Sequence, residues 1–217
     1  VPLVITSLGA AKEVVDAVHS YGGVVFHDVT NLRHAQKAAE AGVDGLILVA
    51  GGAGGHAGTQ NPFALLANVR AHFAGTLILA GSLSSGRDVL AARALGADLA
   101  YMGTRFIATR ESNAQQAYKE MLLAARPEDI VHTPAVSGVP ANFMRQSLEQ
   151  NGFDMEALLT PGKVDFGTKL TVSDEAKAWK TVWSAGHGVA AIHDIPSTAE
   201  LVERLSAEYE AAKTTLG

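Results

Sequence analysis

Short apolar runs recur along the chain at residues 3–6, 24–27, 45–49, 76–80 and 98–102, with little alternation of polar and apolar positions. All but the last are rich in Val, Ile and Leu. Strands buried on both faces read this way, because neither side of the sheet meets water. Helical patterns separate them. Residues 11–21 place Val14, Val15 and Val18 on one face, and 31–41 bring Leu32, Ala35, Ala38 and Ala39 together. Asn61-Pro62 supplies an N-cap and a first-turn proline ahead of Phe63, Leu66 and Val69, and residues 85–95 form a further helix that Gly96 stops.

Strand followed by helix, about every 20 to 30 residues, marks parallel βα units. Two helix-ending phrases share one form: Ala41-Gly42-Val43-Asp44 and Leu95-Gly96-Ala97-Asp98. Each stops a helix at Gly and delivers an Asp just before a strand. That echo favours a barrel of repeated units over an open sheet. Five strands do not close a (β/α)8 barrel, which needs eight. The fold expected is therefore α/β, a TIM-type (β/α)8 barrel lacking its first three strands, in a sequence that reads as a fragment. After Phe106 the pattern changes. Residues 112–125, 173–185 and 197–212 read as helices, and 129–171 as irregular. The expected division is 1–126 for barrel strands 4–8 with their helices, 127–182 for a lid or small second domain, and 183–217 for a closing segment.

Composition narrows the function. The chain is 47% hydrophobic over 217 residues, with net charge −5 and 17 scattered Lys and Arg. It presents no basic face for nucleic acid or an anionic membrane. No cysteine is present, so thiolate chemistry and Cys-based metal sites are excluded, and no metal site is expected. No apolar stretch is long enough to span a bilayer, and no signal segment opens the chain, which makes a cytoplasmic protein the default.

The chemistry points to strand ends. Residues 51–58, Gly-Gly-Ala-Gly-Gly-His-Ala-Gly, follow a strand directly. Glycines there let a ligand approach the backbone and leave N–H groups free to donate. A dinucleotide fingerprint is excluded: the next helix opens only at Asn61-Pro62, and no acidic residue lies between Asp44 and Asp88. A P-loop fails for want of Gly-Lys-Ser/Thr. His56 follows the third strand, at the end where barrel enzymes place catalysis, and a histidine there can remove a proton or hold an anion. His19, His34 and His72 fall on helices and need no such role. The next two strands end in Ala80-Gly81-Ser82 and Met102-Gly103-Thr104-Arg105. As the last two of eight they would form the common phosphate site of the fold, with Gly81 and Gly103 admitting the phosphate and Ser82 and Thr104 adding hydroxyl donors.

Five phrases, in order, carry a resemblance: ITSLG (5–9), FHDVTNLRHA (26–35), GGAGGHAG (51–58), LGADLAYMGTRFIAT (95–109) and WSAGHG (183–188). They resemble the FMN-dependent nitronate monooxygenases, formerly 2-nitropropane dioxygenases. The resemblance is weakest across 127–182, and related NAD(P)H:quinone reductases and flavin-dependent enoyl-acyl carrier protein reductases share the GGHxG and MGTRF phrases. It implies a barrel that binds FMN non-covalently, with the phosphate at Gly81, Ser82, Gly103 and Thr104. It places Gly54 and Gly55 against the isoalloxazine, Asp28 beside the flavin, and the catalytic His56 over the reactive ring. Residues 183–188, Ser184 and His187 among them, would border the substrate. The reaction implied is oxidation of alkyl nitronates such as propionate 3-nitronate by O2 to a carbonyl compound and nitrite. The small-molecule substrate and O2 are then the partners, and a homodimer is left open. A quinone or enoyl reductase on the same site is the enzymatic alternative, and a non-catalytic flavin- or phosphate-binding module is the other. Three positions depart from the resemblance: Ser82 stands where the family usually has a second glycine, Asp28 where some relatives carry Lys, and His187 where many have an amide. A carboxylate at 28 would oppose an anionic flavin.

Overall fold

The structure, a computed structural model, describes residues 1–9, 12–159 and 180–216. They form two compact units. The first comprises 1–51, 58–101 and 205–217, and the second 52–57 and 102–204.

The first unit is built on five parallel strands, β1 (Leu3–Thr6), β2 (Val24–Val29), β3 (Gly45–Val49), β5 (Thr76–Ala80) and β6 (Leu99–Tyr101), paired in that order. Sequential order in a parallel sheet is that of a (β/α)8 barrel; a doubly wound sheet reverses direction part-way. Helices α1 (Lys12–His19), α2 (Leu32–Glu40), α3 (Pro62–Arg70) and α4 (Gly86–Ala94) fill the connections, and α9 (Thr198–Leu216) ends the chain. One sheet face, with Val25, Leu46, Leu48, Leu77 and Leu79, packs on helix residues Val15, Ala38, Leu65, Leu66 and Val69. The other carries Ile47, Ile78 and Ala80 with Phe26 and Val49. Gly45 is glycine because a Cβ there would lie 2.7 Å from the Phe26 ring.

The repeated Gly-x-Asp phrase has a physical purpose. Gly42 and Gly96 take φ of +88° and +102°, which reverses the chain out of α2 and α4. Asp44 then accepts from the Val25 N–H at 2.7 Å and Asp98 from the Leu77 N–H at 2.8 Å, each closing the start of the neighbouring strand. His19 and Arg70 partner the two carboxylates at 2.9 and 2.6 Å. These bonds hold both acids below the usual carboxylate range. The helix starts are also local. Asn61 caps α3 through the Phe63 N–H, and Ser85 with Asp88 forms a capping box on α4. Gly86 lets α9 approach, since a Cβ there would lie 2.0 Å from the Leu205 carbonyl oxygen.

The second unit contains a strand pattern that its sequence does not announce. β4 (Gly55–His56), β8 (Ala141–Met144) and β7 (Ile130–Thr133) form an antiparallel sheet in the order β4-β8-β7, and α7 (Arg145–Gln150) and α8 (Met155–Leu159) follow it. The irregular segment expected at 129–171 is therefore corrected over 129–159. β8, Ala-Asn-Phe-Met, is buried at all four positions and includes an asparagine, so neither alternation nor β-branching marks it. Helices α5 (Thr104–Ile107) and α6 (Gln116–Ala124) precede the sheet, and a 3-10 turn at His187–Ala191 follows it. Of the helix expected at 173–185, residues 173–179 lie outside the described residues. Residues 182–185 are not helical: Ser184 forms a β-bridge with Phe143. Among the described residues no helix is long and apolar enough to cross a membrane.

Candidate functional site

The glycine loop leaves the first unit at Gly51 and returns at Gly58, and its middle, 52–57, belongs to the second unit. Within that unit it is held from two sides. On one side β4 pairs with β8, His56 opposite Ala141 and Gly55 opposite Asn142. Asn142, only 3% exposed, donates from Nδ2 to the Ala53 carbonyl at 2.6 Å. Its Oδ1 lies 2.9 Å from His132 Nδ1, which as a ring N–H donates to it.

On the other side the segment 183–188 lies against the loop. The His187 N–H donates to the Gly52 carbonyl at 2.9 Å, and the Gly186 N–H donates to Thr104 Oγ1 at 3.0 Å. The fit is close. A Cβ on Gly186 would sit 2.4 Å from the Gly52 carbonyl oxygen, and one on Gly54 would sit 3.0 Å from the Ala185 carbonyl carbon. The segment is itself fastened to β8 by the Met144 N–H to Trp183 carbonyl bond of 3.0 Å. Tyr118 stacks on Trp183 with centroids 5.0 Å apart and donates its hydroxyl to the Ser184 carbonyl. Burial raises the Tyr118 pKa, against the pull of that bond, so the phenol stays neutral and remains a donor.

His56 stands half-buried at the end of this loop, with Nε2 3.2 Å from Ser137 Oγ. The second unit thus brings His56, Gly54, Gly55, Thr104, Ser184 and His187 into one hydrogen-bonded layer. The Ser184 backbone is engaged, and the His187 side chain is exposed. Gly103 and Gly55 differ from Gly54 and Gly186. At neither would an added Cβ meet any atom of the described residues within 4 Å, and Gly103 has an ordinary φ of −99°.

In the first unit, Gly81 and Ser82 follow β5 with φ of +118° and +60°. Ser82 occupies the left-handed region that glycine adopts freely, where a side chain costs about 1–2 kcal/mol. Such strain is found where a loop is shaped for a ligand. Asp28 lies near the end of β2, half-buried, and burial raises its pKa against the Ser7 hydroxyl bond that lowers it. Burial thus makes the charged form of Asp28 harder to reach than that of a solvated carboxylate. Sequence reasoning missed Asn142, Ser137 and Tyr118, whose partners are distant in the chain, and also His27. That histidine is 4% exposed, bonds Thr6 Oγ1 through Nδ1 at 2.7 Å, and has a pKa lowered by burial and then by His34.

The family model described as "Nitronate monooxygenase" matches residues 1–208. The chain belongs to this family. A nitronate monooxygenase of Paraburkholderia phytofirmans is 31% identical over 215 residues, covering 92% of this chain and 58% of that protein. The chain thus spans about three fifths of that curated relative's length. FabK (M276A) from Thermotoga maritima superposes with a TM-score of 0.81 at 26% identity, over 99% of this chain and 69% of that one. A nitroalkane oxidase from Streptomyces ansochromogenes does so with a TM-score of 0.79 at 28% identity, over 100% and 66%. The fold is that of the TIM-type (β/α)8 barrels, with five of the parallel strands in the described residues.

Proposed function

We propose that the protein to which this chain belongs is an FMN-dependent oxidoreductase that oxidises alkyl nitronates, propionate 3-nitronate among them. O2 is the co-substrate, the products are a carbonyl compound and nitrite, and the setting is the cytoplasm. Family membership over residues 1–208 and the likeness to the Streptomyces nitroalkane oxidase support it. The observation that carries it is His56, fastened through β4 and Ser137 beside Gly55, where an added Cβ would meet no described atom within 4 Å.

When bound, FMN supplies the electron acceptor for the substrate. His56 removes the acidic Cα proton when a neutral nitroalkane is offered, and as the imidazolium it balances the charge of a nitronate. In the second unit, Gly103 and Thr104 are assigned to the flavin phosphate: the glycine has open space beside it, and the Thr104 hydroxyl, which accepts from Gly186, keeps its proton to donate. Gly55 is assigned to the flavin ring, and Ser184 and His187 to the substrate. Gly54 acts through packing on 185–186. In the first unit, Gly81 and Ser82 are assigned to the phosphate, and Asp28 to the ring.

The test is anaerobic mixing of the full-length protein with propionate 3-nitronate while the flavin absorbance is followed. Loss of the oxidised flavin spectrum, its recovery on admitting O2 and release of nitrite are expected. A yellow protein that responds to NADH and a quinone but not to nitronate would instead be a reductase on the same site. A protein that neither retains nor takes up FMN contradicts both readings.

A further inference from the structure

β8 carries one residue that its packing does not call for. Asn142 stands in a strand buried at all four positions, among Ala141, Phe143 and Met144. Asparagine is depleted in strands, and a buried amide costs free energy unless both of its ends are bonded. We infer that Asn142 is a positioning residue of the flavin site. It holds the Ala53 carbonyl so that the Gly54 N–H, in the same peptide unit, faces away from it and is kept as a donor to the flavin ring. This rests on the reading of the glycine loop as part of a flavin site given above.

The orientation of this amide is fixed at both ends. A carbonyl only accepts, so the NH2 group is the end that meets Ala53, at 2.6 Å. The amide oxygen then faces His132 Nδ1 at 2.9 Å and accepts its hydrogen. The register explains how one side chain reaches both. Asn142 is opposite His132 on β7 and opposite Gly55 on β4, so it sits on the central strand of the three.

The bond to Ala53 sets the direction of the next N–H. The Ala53–Gly54 peptide is trans, and in a planar trans unit the C=O and N–H point opposite ways. With the carbonyl on Asn142, the Gly54 N–H is turned away from that side chain. Gly54 is exposed, and its N–H meets no acceptor among the described residues. Gly186 lies over the face of the same peptide: a Cβ there would be 3.1 Å from the Ala53 carbonyl carbon and 2.9 Å from the Gly54 nitrogen. Contact on the face leaves the N–H, which lies in the plane, uncovered. Gly54 thus contributes twice, by its packing on 185–186 and by its N–H.

What Asn142 excludes is a flip of this peptide. A flip needs opposite rotations of Ala53 ψ and Gly54 φ, and glycine takes up the new φ at little cost. Gly52 and Gly55 on either side carry no side chain to resist it. The flipped unit would present a carbonyl where a ring acceptor needs a donor, and its N–H would point toward position 142. Replacing the amide by a carboxylate rewards that state, because a carboxylate accepts from N–H and repels a carbonyl. Asn142→Asp, close to Asn in shape, therefore reverses the preference, and Asn142→Ala removes it.

The experiment titrates FMN into full-length protein labelled with 13C-carbonyl alanine and 15N-glycine, which selects the Ala-Gly pairs. The signal lost in Gly54→Ala is that of Gly54. In the wild type the Gly54 amide proton is expected to move downfield as FMN binds, because it gains an acceptor. In Asn142→Asp and Asn142→Ala that response should be lost, and the Kd for FMN should rise about three- to tenfold, the range for one hydrogen bond. A Gly54 signal that ignores FMN in the wild type overturns the proposal, and this result needs no variant to fold. Variants that melt earlier but keep the wild-type Gly54 response and Kd also overturn it, since Asn142 would then act on stability alone. The expected signals in a protein that oxidises no nitronate uphold the role of Asn142 and overturn nitronate oxidation instead. A protein that takes up no FMN overturns both.

Discussion

Replacing Gly186 by Ala probes the join between the glycine loop and the segment 183–188. The added Cβ would lie 2.4 Å from the Gly52 carbonyl oxygen, 2.9 Å from the Gly54 nitrogen and 3.1 Å from the Ala53 carbonyl carbon. Ordinary carbon contacts need about 3.5–4 Å, so loop or segment must retreat by about an ångström. All three atoms are backbone, and no side-chain rotation relieves the clash. Overpacking of this kind costs about 1–3 kcal/mol. The retreat also stretches the His187 N–H to Gly52 carbonyl bond of 2.9 Å, worth about 0.5–1.5 kcal/mol. Together these give about 2–4 kcal/mol, or roughly 5–10 °C in Tm. Thermal melting of the full-length protein reads the shift, and a graded series makes it specific. Gly54→Ala, whose Cβ would be no nearer than 3.0 Å to its neighbours, should lose less. His187→Ala should lose almost nothing, because only its backbone N–H is used. Equal melting of Gly186→Ala and the wild type would refute the packing account of this loop.

Other perturbations test the same reasoning elsewhere. Asp194→Ala removes the carboxylate that Arg105, 2% exposed, bonds at 2.9 Å, and leaves its bonds to the Ala108 and Asp194 backbone carbonyls; because those bonds remain and the Asp194 side chain is itself 44% exposed, a loss of about 2–3 kcal/mol in denaturant unfolding is expected, below the 3–5 of a fully buried pair. Ser82→Gly should raise the Tm, since it relieves a φ of +60°; a net gain of about 0.5–1 kcal/mol remains after the added chain entropy of glycine, and a lower Tm would contradict the strain. Asp98 has a folded pKa held below its unfolded value, first by the Leu77 N–H and then by Arg70, so its contribution is complete above about pH 4 and lost as pH falls through the folded pKa. Asp98→Asn should therefore flatten the acid limb of a stability–pH profile, and an unchanged limb would remove the capping argument. Leu66→Ala, at a fully buried position on α3, should cost about 2–5 kcal/mol in the same assay.

The first unit was largely legible in the sequence, because its signals are local. The strands are continuous apolar runs, Asn61-Pro62 and Ser85 mark helix starts, and Gly42 and Gly96 mark helix ends. The two Asp residues after those glycines were legible as a repeat, but not as strand-closing acceptors, because Val25 and Leu77 lie about 20 residues earlier. The second unit was not legible to the same degree. β8 gives no alternating signal, and β4 is two residues long and exists only by pairing with β8 across 85 residues of chain, His56 with Ala141 being one such pair. His56 could be singled out from its place after β3 and its glycines. Ser137 and Asn142, which fasten it, belong to a stretch that reads as irregular. Gly186 looks like a loop glycine until Gly52 is seen behind it.

The central claim is that His56 carries the chemistry of a flavin enzyme. Steady-state oxidation of propionate 3-nitronate and of its neutral nitroalkane, compared between the full-length wild type and His56→Ala, tests it most directly. The variant is expected to keep its flavin absorbance while turnover of the nitroalkane falls by at least about a hundredfold, the low end for a general base. Unchanged turnover in a variant that still holds its flavin would contradict the assignment.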